Sequence, residues 1–166
     1  MIIDLDGFHL KDKFHVRELG YYSWMGDSGS HFFDVHKRYR ELDKQERAVV
    51  KRVCRDIIGL PFRARPCETP HHHVRNVKNI VKDLYKEFRT EFRTVVGFKG
   101  GTIEKDLLIS CQIPYVDLEK WGCPKYDCLP RPEGCGCGFH EDPKVHHCPQ
   151  MECESFWNWS RLVIDN

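Results

Sequence analysis

The chain has 166 residues, with 26 basic and 25 acidic side chains and a formal net charge of +1. That length suits one domain with a core of its own, so residues 1–166 are expected to form a single unit. Near-neutrality excludes a global field that pulls the protein onto nucleic acid or membrane, so any basic surface must be local, and no run approaches the ~20 apolar residues of a membrane span.

Ile2 to Phe8 reads as a strand, with Ile3 and Leu5 on one face and Asp4 and Asp6 on the other. Its start, MIIDLDGF, lacks a basic n-region and carries two acids, so it does not read as a signal peptide. Phe14 to Tyr22 is a second strand, with Phe14, Val16 and Glu18 on one face, and His31 to His36 a third. Short turns between them predict an antiparallel meander.

Glu41 to Ile58 switches to helical period through Leu42, Val49, Val53 and Ile57, and Gly59 and Pro61 end it. After a proline-rich connection, Thr69 and Pro70 suit the N-cap and first residue of a helix over about 71–93. Its apolar stripe is Val74, Val77, Val81, Leu84, Phe88 and Phe92. Arg75, Lys78 and Lys82 lie off that stripe and, with Arg63 and Arg65, form the candidate local nucleic-acid surface. Then follow a short strand at Val95 to Phe98, a helix from Thr102 to Ile109, a strand at Pro114 to Leu118, an irregular stretch over 119–150 and a last helix from Pro149 to Ile164.

So long an irregular stretch calls for something to order it. The chain holds nine cysteines, an odd number, and without a secretory signal disulfides explain them poorly. Reduced thiols, some on metal, fit an intracellular compartment, cytoplasmic or nuclear. Cys137, His140 and Cys148 are spaced C-x2-H-x7-C. A thiolate and an imidazole so close can reach one ion from a single turn, and Cys148 can return from the start of the next element. Zinc takes four such ligands in a tetrahedron, so a fourth must come from a distant segment. Cys123, Cys128, Cys135 and Cys153, with His146 or His147, offer a second such set or remain loop thiols. Cys54 and Cys111 sit in apolar helical surroundings and read as core residues.

The element order, with D-x-D in IIDLDGF, resembles DEDD-type 3′–5′ exonucleases of the DnaQ family, whose fold is an RNase H-like mixed sheet. The family's first motif is D-x-E. Its second is an acid opening the helix after the fourth strand, where VVGFKGGTIEKDLL offers Glu104 or Asp106. Its third, H-x4-D, is matched with Glu for Asp by His147 and Glu152 in HCPQME. The resemblance implies carboxylates holding two Mg²⁺ or Mn²⁺ ions at the scissile phosphate. Read with the C-terminal stretch, Glu104, Cys137, His140 and Cys148 form a set similar to the Glu-Cys-His-Cys zinc quartet of the Maelstrom domain, a branch of that superfamily. Membership there implies structural zinc, single-stranded RNA or DNA as partner, and a place among the proteins of piRNA-type silencing or mobile-element biology. With Glu104 on zinc, Asp106 must stand in beside Asp4, Asp6, His147 and Glu152 as the catalytic set. The competing expectation is a catalytically inactive RNA-binding or protein-interaction module in which zinc only fixes the fold.

Overall fold

The computed structural model describes residues 1–133, 136–142 and 146–164. β1 (Ile2–His9), β2 (Phe14–Tyr22) and β3 (Ser28–Asp34) form the expected antiparallel meander. α1 (Lys44–Val53) opens on a capping box between Asp43 and Glu46 and runs into a π turn at Cys54–Ile58. Then come β4 (His71–His73), α2 (Val77–Phe88), β5 (Val96–Phe98), α3 (Ile103–Cys111), β6 (Tyr115–Asp117) and α4 (Pro149–Ile164). The strand order is β4-β3-β2-β1-β5-β6. β5 runs parallel to β1, β6 to β5, and β4 to β3.

Three local expectations are corrected. His71–His73 is an edge strand, not a helix start, because it pairs with Phe32 to Asp34 of β3. The Thr69–Pro70 bond is cis, and Pro70 passes its carbonyl to Phe32 N–H instead of opening a helix. Phe92 lies beyond the end of α2 and is 90% exposed, so it leaves the stripe that buries Val81, Leu84 and Phe88.

One face of the sheet carries Ile3, Leu5, Val16, Leu19 and Phe33, covered by Val81, Leu84 and Phe88 of α2 and by Leu107 and Leu108 of α3. Burying each such side chain contributes roughly 1.5–3 kcal/mol. The β1–β2 register slips by one residue between the pairs Asp6–Glu18 and Gly7–Val16. Arg17 is therefore an extra residue on β2, a bulge. The bulge lets Val16 and Leu19 both face the α2 side while Arg17 and Glu18 face the other. Glu18 is thus on the opposite face from Val16, against simple alternation.

The second face carries three cross-strand rows: Ile2–Tyr22–Ser28, Asp4–Gly20–Ser30 and Asp6–Glu18–Phe32. α4 lies across them. A Cβ on Gly20 would stand 2.2 Å from the backbone of Pro149 and Gln150, so glycine there is what lets the start of α4 meet the sheet. Cys153 donates to Gly20 O at 3.5 Å in the same contact.

Candidate metal centre and acidic site

The C-terminal loop docks on the end of α1. A helix end leaves carbonyls without partners, and here histidines fill them. His147 N–H donates to Ile57 O at 2.7 Å, and His146 Nε2 to Arg55 O at 2.8 Å. Gly59, at φ +60, ends the π turn, and a Cβ there would lie 2.3 Å from the His146 ring. Asp142 N–H donates to His146 Nδ1 at 3.0 Å. Both His146 nitrogens are therefore taken, which removes it from the expected second metal set.

His140 Nδ1 meets Ile58 O. A carbonyl only accepts, so Nδ1 carries the proton and Nε2 presents a lone pair. Nε2 lies 3.1 Å from Glu18 Oε2, yet neither atom has a hydrogen-bond partner and both side chains are buried. A lone pair facing a carboxylate is repulsive without a cation between them. Cys137 and Cys148 complete the group, with their sulfurs 3.9 Å apart. The ligand atoms of Glu18, Cys137, His140 and Cys148 all lie within 4.8 Å of one another, the one such group among the described residues. Without an ion there, a proton on Nε2 takes the place of that cation: burial alone would lower the His140 pKa, but the Cys137 thiol and the Glu18 carboxylate reverse that and push it up to about 11. This group could hold a metal ion.

The fourth member of this candidate group is thus Glu18 and not Glu104. The bulge decides it, by turning Glu18 onto the face where the C-terminal loop lands. An apolar-charged-charged-apolar run, Val16 to Leu19, is the sequence signal of that bulge.

Glu104, released from the metal group, faces β1. β1 meets β5 only at Ile2–Gly97, so its next amides on that edge lack a strand partner, and Leu5 N–H donates to Glu104 Oε1 at 3.2 Å. Asp106, two residues on, is exposed, because positions i and i+2 of a helix face apart. The acid brought to the β1 carboxylates from α3 is therefore Glu104.

Asp4 and Asp6 share a face of β1, and Glu152 comes from the first turn of α4. His147 Nδ1 is 2.6 Å from Glu152 Oε1, a charge contact without hydrogen-bond angles, which holds the imidazole pKa up. Burial, then Glu152 and Glu104, raise the Asp4 carboxyl far above its ordinary range. Burial, then Glu152 and Glu18, push Asp6 up to about 8. Burial pushes Glu104 up to about 7, with Glu152 adding to it. Asp6 Oδ2 and Glu152 Oε1 are buried without hydrogen bonds. Carboxylates that repel one another in this way are relieved by protons or by divalent cations.

No protein-family model matches the chain, and no curated protein matches it.

Among the remaining candidates, Arg75 is exposed in the 3-10 turn Val74–Asn76, and Lys78 and Lys82 are exposed on α2, which covers the face opposite the acids. Arg63 is exposed. Arg65 is committed elsewhere, donating to Glu68 Oε1 at 2.7 Å and to Phe139 O at 3.0 Å. Glu68 also pairs with Arg17, both fully buried, so this network ties the bulge to the loop beside His140. Cys123 and Cys153 pack in an apolar cluster with Phe156, Cys128 is exposed, and Cys135 lies outside the described residues. No described helix is long and apolar enough to cross a membrane.

Proposed function

We propose that the chain is a metal-dependent nuclease domain of RNase H-like type, acting on single-stranded RNA or DNA and held together by a structural zinc at Glu18, Cys137, His140 and Cys148. The observation that carries the reading is the gathering of mutually repelling carboxylates, Asp4, Asp6, Glu104 and Glu152, around the centre of the sheet, with His147 beside Glu152. Hydrolysis of a phosphodiester with two Mg²⁺ or Mn²⁺ ions about 4 Å apart needs several carboxylates and a base for water. Asp4, Asp6, Glu104 and Glu152 would hold the ions, and His147 would take the proton of the attacking water.

The topology supports the fold assignment. β1, β2 and β3 run as a meander, and β5 and β6 join parallel on the other side of β1, as in an RNase H-like sheet with β4 as an added edge. The donor set supports zinc: two thiolates 2.3 Å from a tetrahedral ion stand about 3.8 Å apart, beside the 3.9 Å between Cys137 and Cys148. A quartet built on Glu18 keeps the Glu-Cys-His-Cys composition of the Maelstrom set, though not the Glu104 on which the resemblance was drawn, and leaves Glu104 to the acidic site. A place in RNA silencing or mobile-element biology follows from the resemblance. The second reading, an inactive zinc-containing binding module, draws on the net charge of +1, which is low for an avid nucleic-acid binder.

The test is cleavage of single-stranded RNA and DNA with Mn²⁺, comparing the wild type with Asp4→Asn/Asp6→Asn. Metal-dependent cleavage that disappears in the double variant while the zinc is retained supports the nuclease. No cleavage by the wild type, or cleavage surviving the double variant, rejects this site.

A further inference from the structure

The C-terminal half of α4 borders a hollow at the end of the sheet where β1 meets β5. A cavity of about 620 Å³ lies there, floored by Ile2, Gly97 and Val116. Gly97 keeps the floor low, since a Cβ would come within 3.1 Å of the Ile2 side chain. The walls hold three of the chain's four tryptophans, Trp24, Trp121 and Trp157, together with Phe92. Trp121 is 53% exposed and Phe92 90% exposed. An exposed aromatic group of this size marks a binding surface.

Its charge says what kind. Arg93 and Arg161 line the cavity, and among the described residues no Asp or Glu does. The Arg93 guanidinium lies 4.8 Å from the centroid of the Trp24 ring. Trp24 is held in place by donating to Phe88 O at 2.8 Å. Flat apolar faces beside guanidinium groups, with no acid among them, suit a ligand that is planar and anionic. Unpaired bases stack on indole faces, and their phosphates pair with arginine.

Position links the cavity to the acids. Ile2 in its floor is two residues before Asp4 on the same face of β1, a step of about 7 Å. Trp157 and Arg161 stand one and two turns along α4 from Cys153, which neighbours Glu152. The cavity therefore continues the row of the acidic site along both β1 and α4. The basic residues of α2 lie on the other face of the sheet and do not share this row.

We propose that this aromatic-arginine cavity is a stacking subsite for unpaired nucleotides of a single-stranded nucleic acid, next along the strand to the phosphate held at Asp4 and Asp6. The assignment deepens the nuclease reading and rests on it for the position of the reacting phosphate. Stacking is indifferent to base identity, so the subsite selects for unpaired bases and not for sequence.

The experiment is titration of the intact protein with short fluorescein-labelled oligouridylate and oligodeoxythymidylate, with Ca²⁺ replacing Mg²⁺ so that binding is read apart from cutting. Tryptophan emission should quench on binding. Trp121→Ala should weaken binding roughly five- to hundredfold, with Trp121→Phe restoring most of it. Arg161→Gln should weaken it and flatten its salt dependence. Asp4→Asn/Asp6→Asn, which removes the ion-mediated hold on the phosphate, should bind more weakly than the wild type but keep its dependence on Trp121. If that double variant and the wild type bind through Trp121 but neither cleaves, the subsite stands and the nuclease reading falls. Unchanged binding in both Trp121→Ala and Arg161→Gln overturns the subsite, as does binding lost only on charge reversal at Arg75, Lys78 and Lys82. Tryptophan emission unmoved by any oligonucleotide also overturns it and leaves the cavity to a protein segment.

Discussion

Asp6 and Glu18 are direct cross-strand partners on one face of the sheet, yet they serve two different sites. Asp6 belongs to the row of acids on β1, and Glu18 reaches the imidazole of His140 at 3.1 Å. Side chains so paired stand about 5 Å apart. The candidate metal group and the acidic site are therefore neighbours, and the charge of Glu18 is among the causes that raise Asp6. A cation on Glu18 withdraws that repulsion from the acidic site.

Removal of a ligand distinguishes Glu18 from Glu104. Glu18→Ala, like His140→Ala, should lower bound zinc well below one ion per chain, while Glu104→Gln should leave it unchanged. Elemental analysis of the purified variants reads this directly. A structural zinc contributes on the order of 10 kcal/mol of folding free energy, so the first two variants should also lose solubility.

The acids set a pH dependence. Their raised pKa values mean that the folded protein keeps protons the unfolded chain has released. The stability linked to them is complete near pH 4 and falls as pH rises through about 7 for Glu104 and about 8 for Asp6. Mn²⁺ binds the deprotonated form, so its apparent affinity should rise by up to tenfold per pH unit for each proton displaced. Thermal melts with and without Mn²⁺ should show a larger gain near pH 8 than near pH 6. In metal-free buffer at the higher pH, Asp4→Asn/Asp6→Asn should melt above the wild type. An equal Mn²⁺ gain at both pH values contradicts this.

His147 should act on the rate and not on the fold. It is half-buried beside Glu152, and a positioned general base contributes roughly 10²–10⁴ in rate. His147→Gln should lower cleavage by that factor with the melting temperature little changed.

Gly20→Ala tests the seat of α4. The new Cβ meets backbone, which has nowhere to turn. Overpacking of this kind costs about 1–3 kcal/mol, read as a lower denaturation midpoint. Because Glu152 and Cys148 travel with the start of α4, metal content and cleavage should fall together.

Glu68→Ala leaves Arg17 charged and fully buried, with only the bond from its Nε to Pro61 O at 2.9 Å. Breaking a buried pair by removing one partner costs about 3–5 kcal/mol. Urea denaturation should show that loss, and Arg65, which shares Glu68, should release its hold on Phe139 beside the metal loop.

By itself the sequence determined what alternation and local spacing can carry. The Ile2-to-Phe8 strand with Asp4 and Asp6 on one face, the meander, and Cys137, His140 and Cys148 as one ligand group were all legible, because each rests on neighbours within a few residues. His147 and Glu152 were legible as a pair only through their resemblance to the H-x4-D motif of the DnaQ family. Tertiary structure alone decided the rest. Whether Glu18 or Glu104 joins the cysteines depends on a one-residue bulge opposite Asp6 and Gly7 and on where a loop more than a hundred residues away lands. That Glu104, and not Asp106, turns to β1 depends on which side of α3 meets the sheet edge left bare beyond Ile2. His71–His73 became a strand because β3 offered an unpaired edge, which local propensity cannot see. The aromatic cavity had no signal at all. Its lining comes from five separate stretches between Met1 and Arg161, and only the folded sheet brings them together.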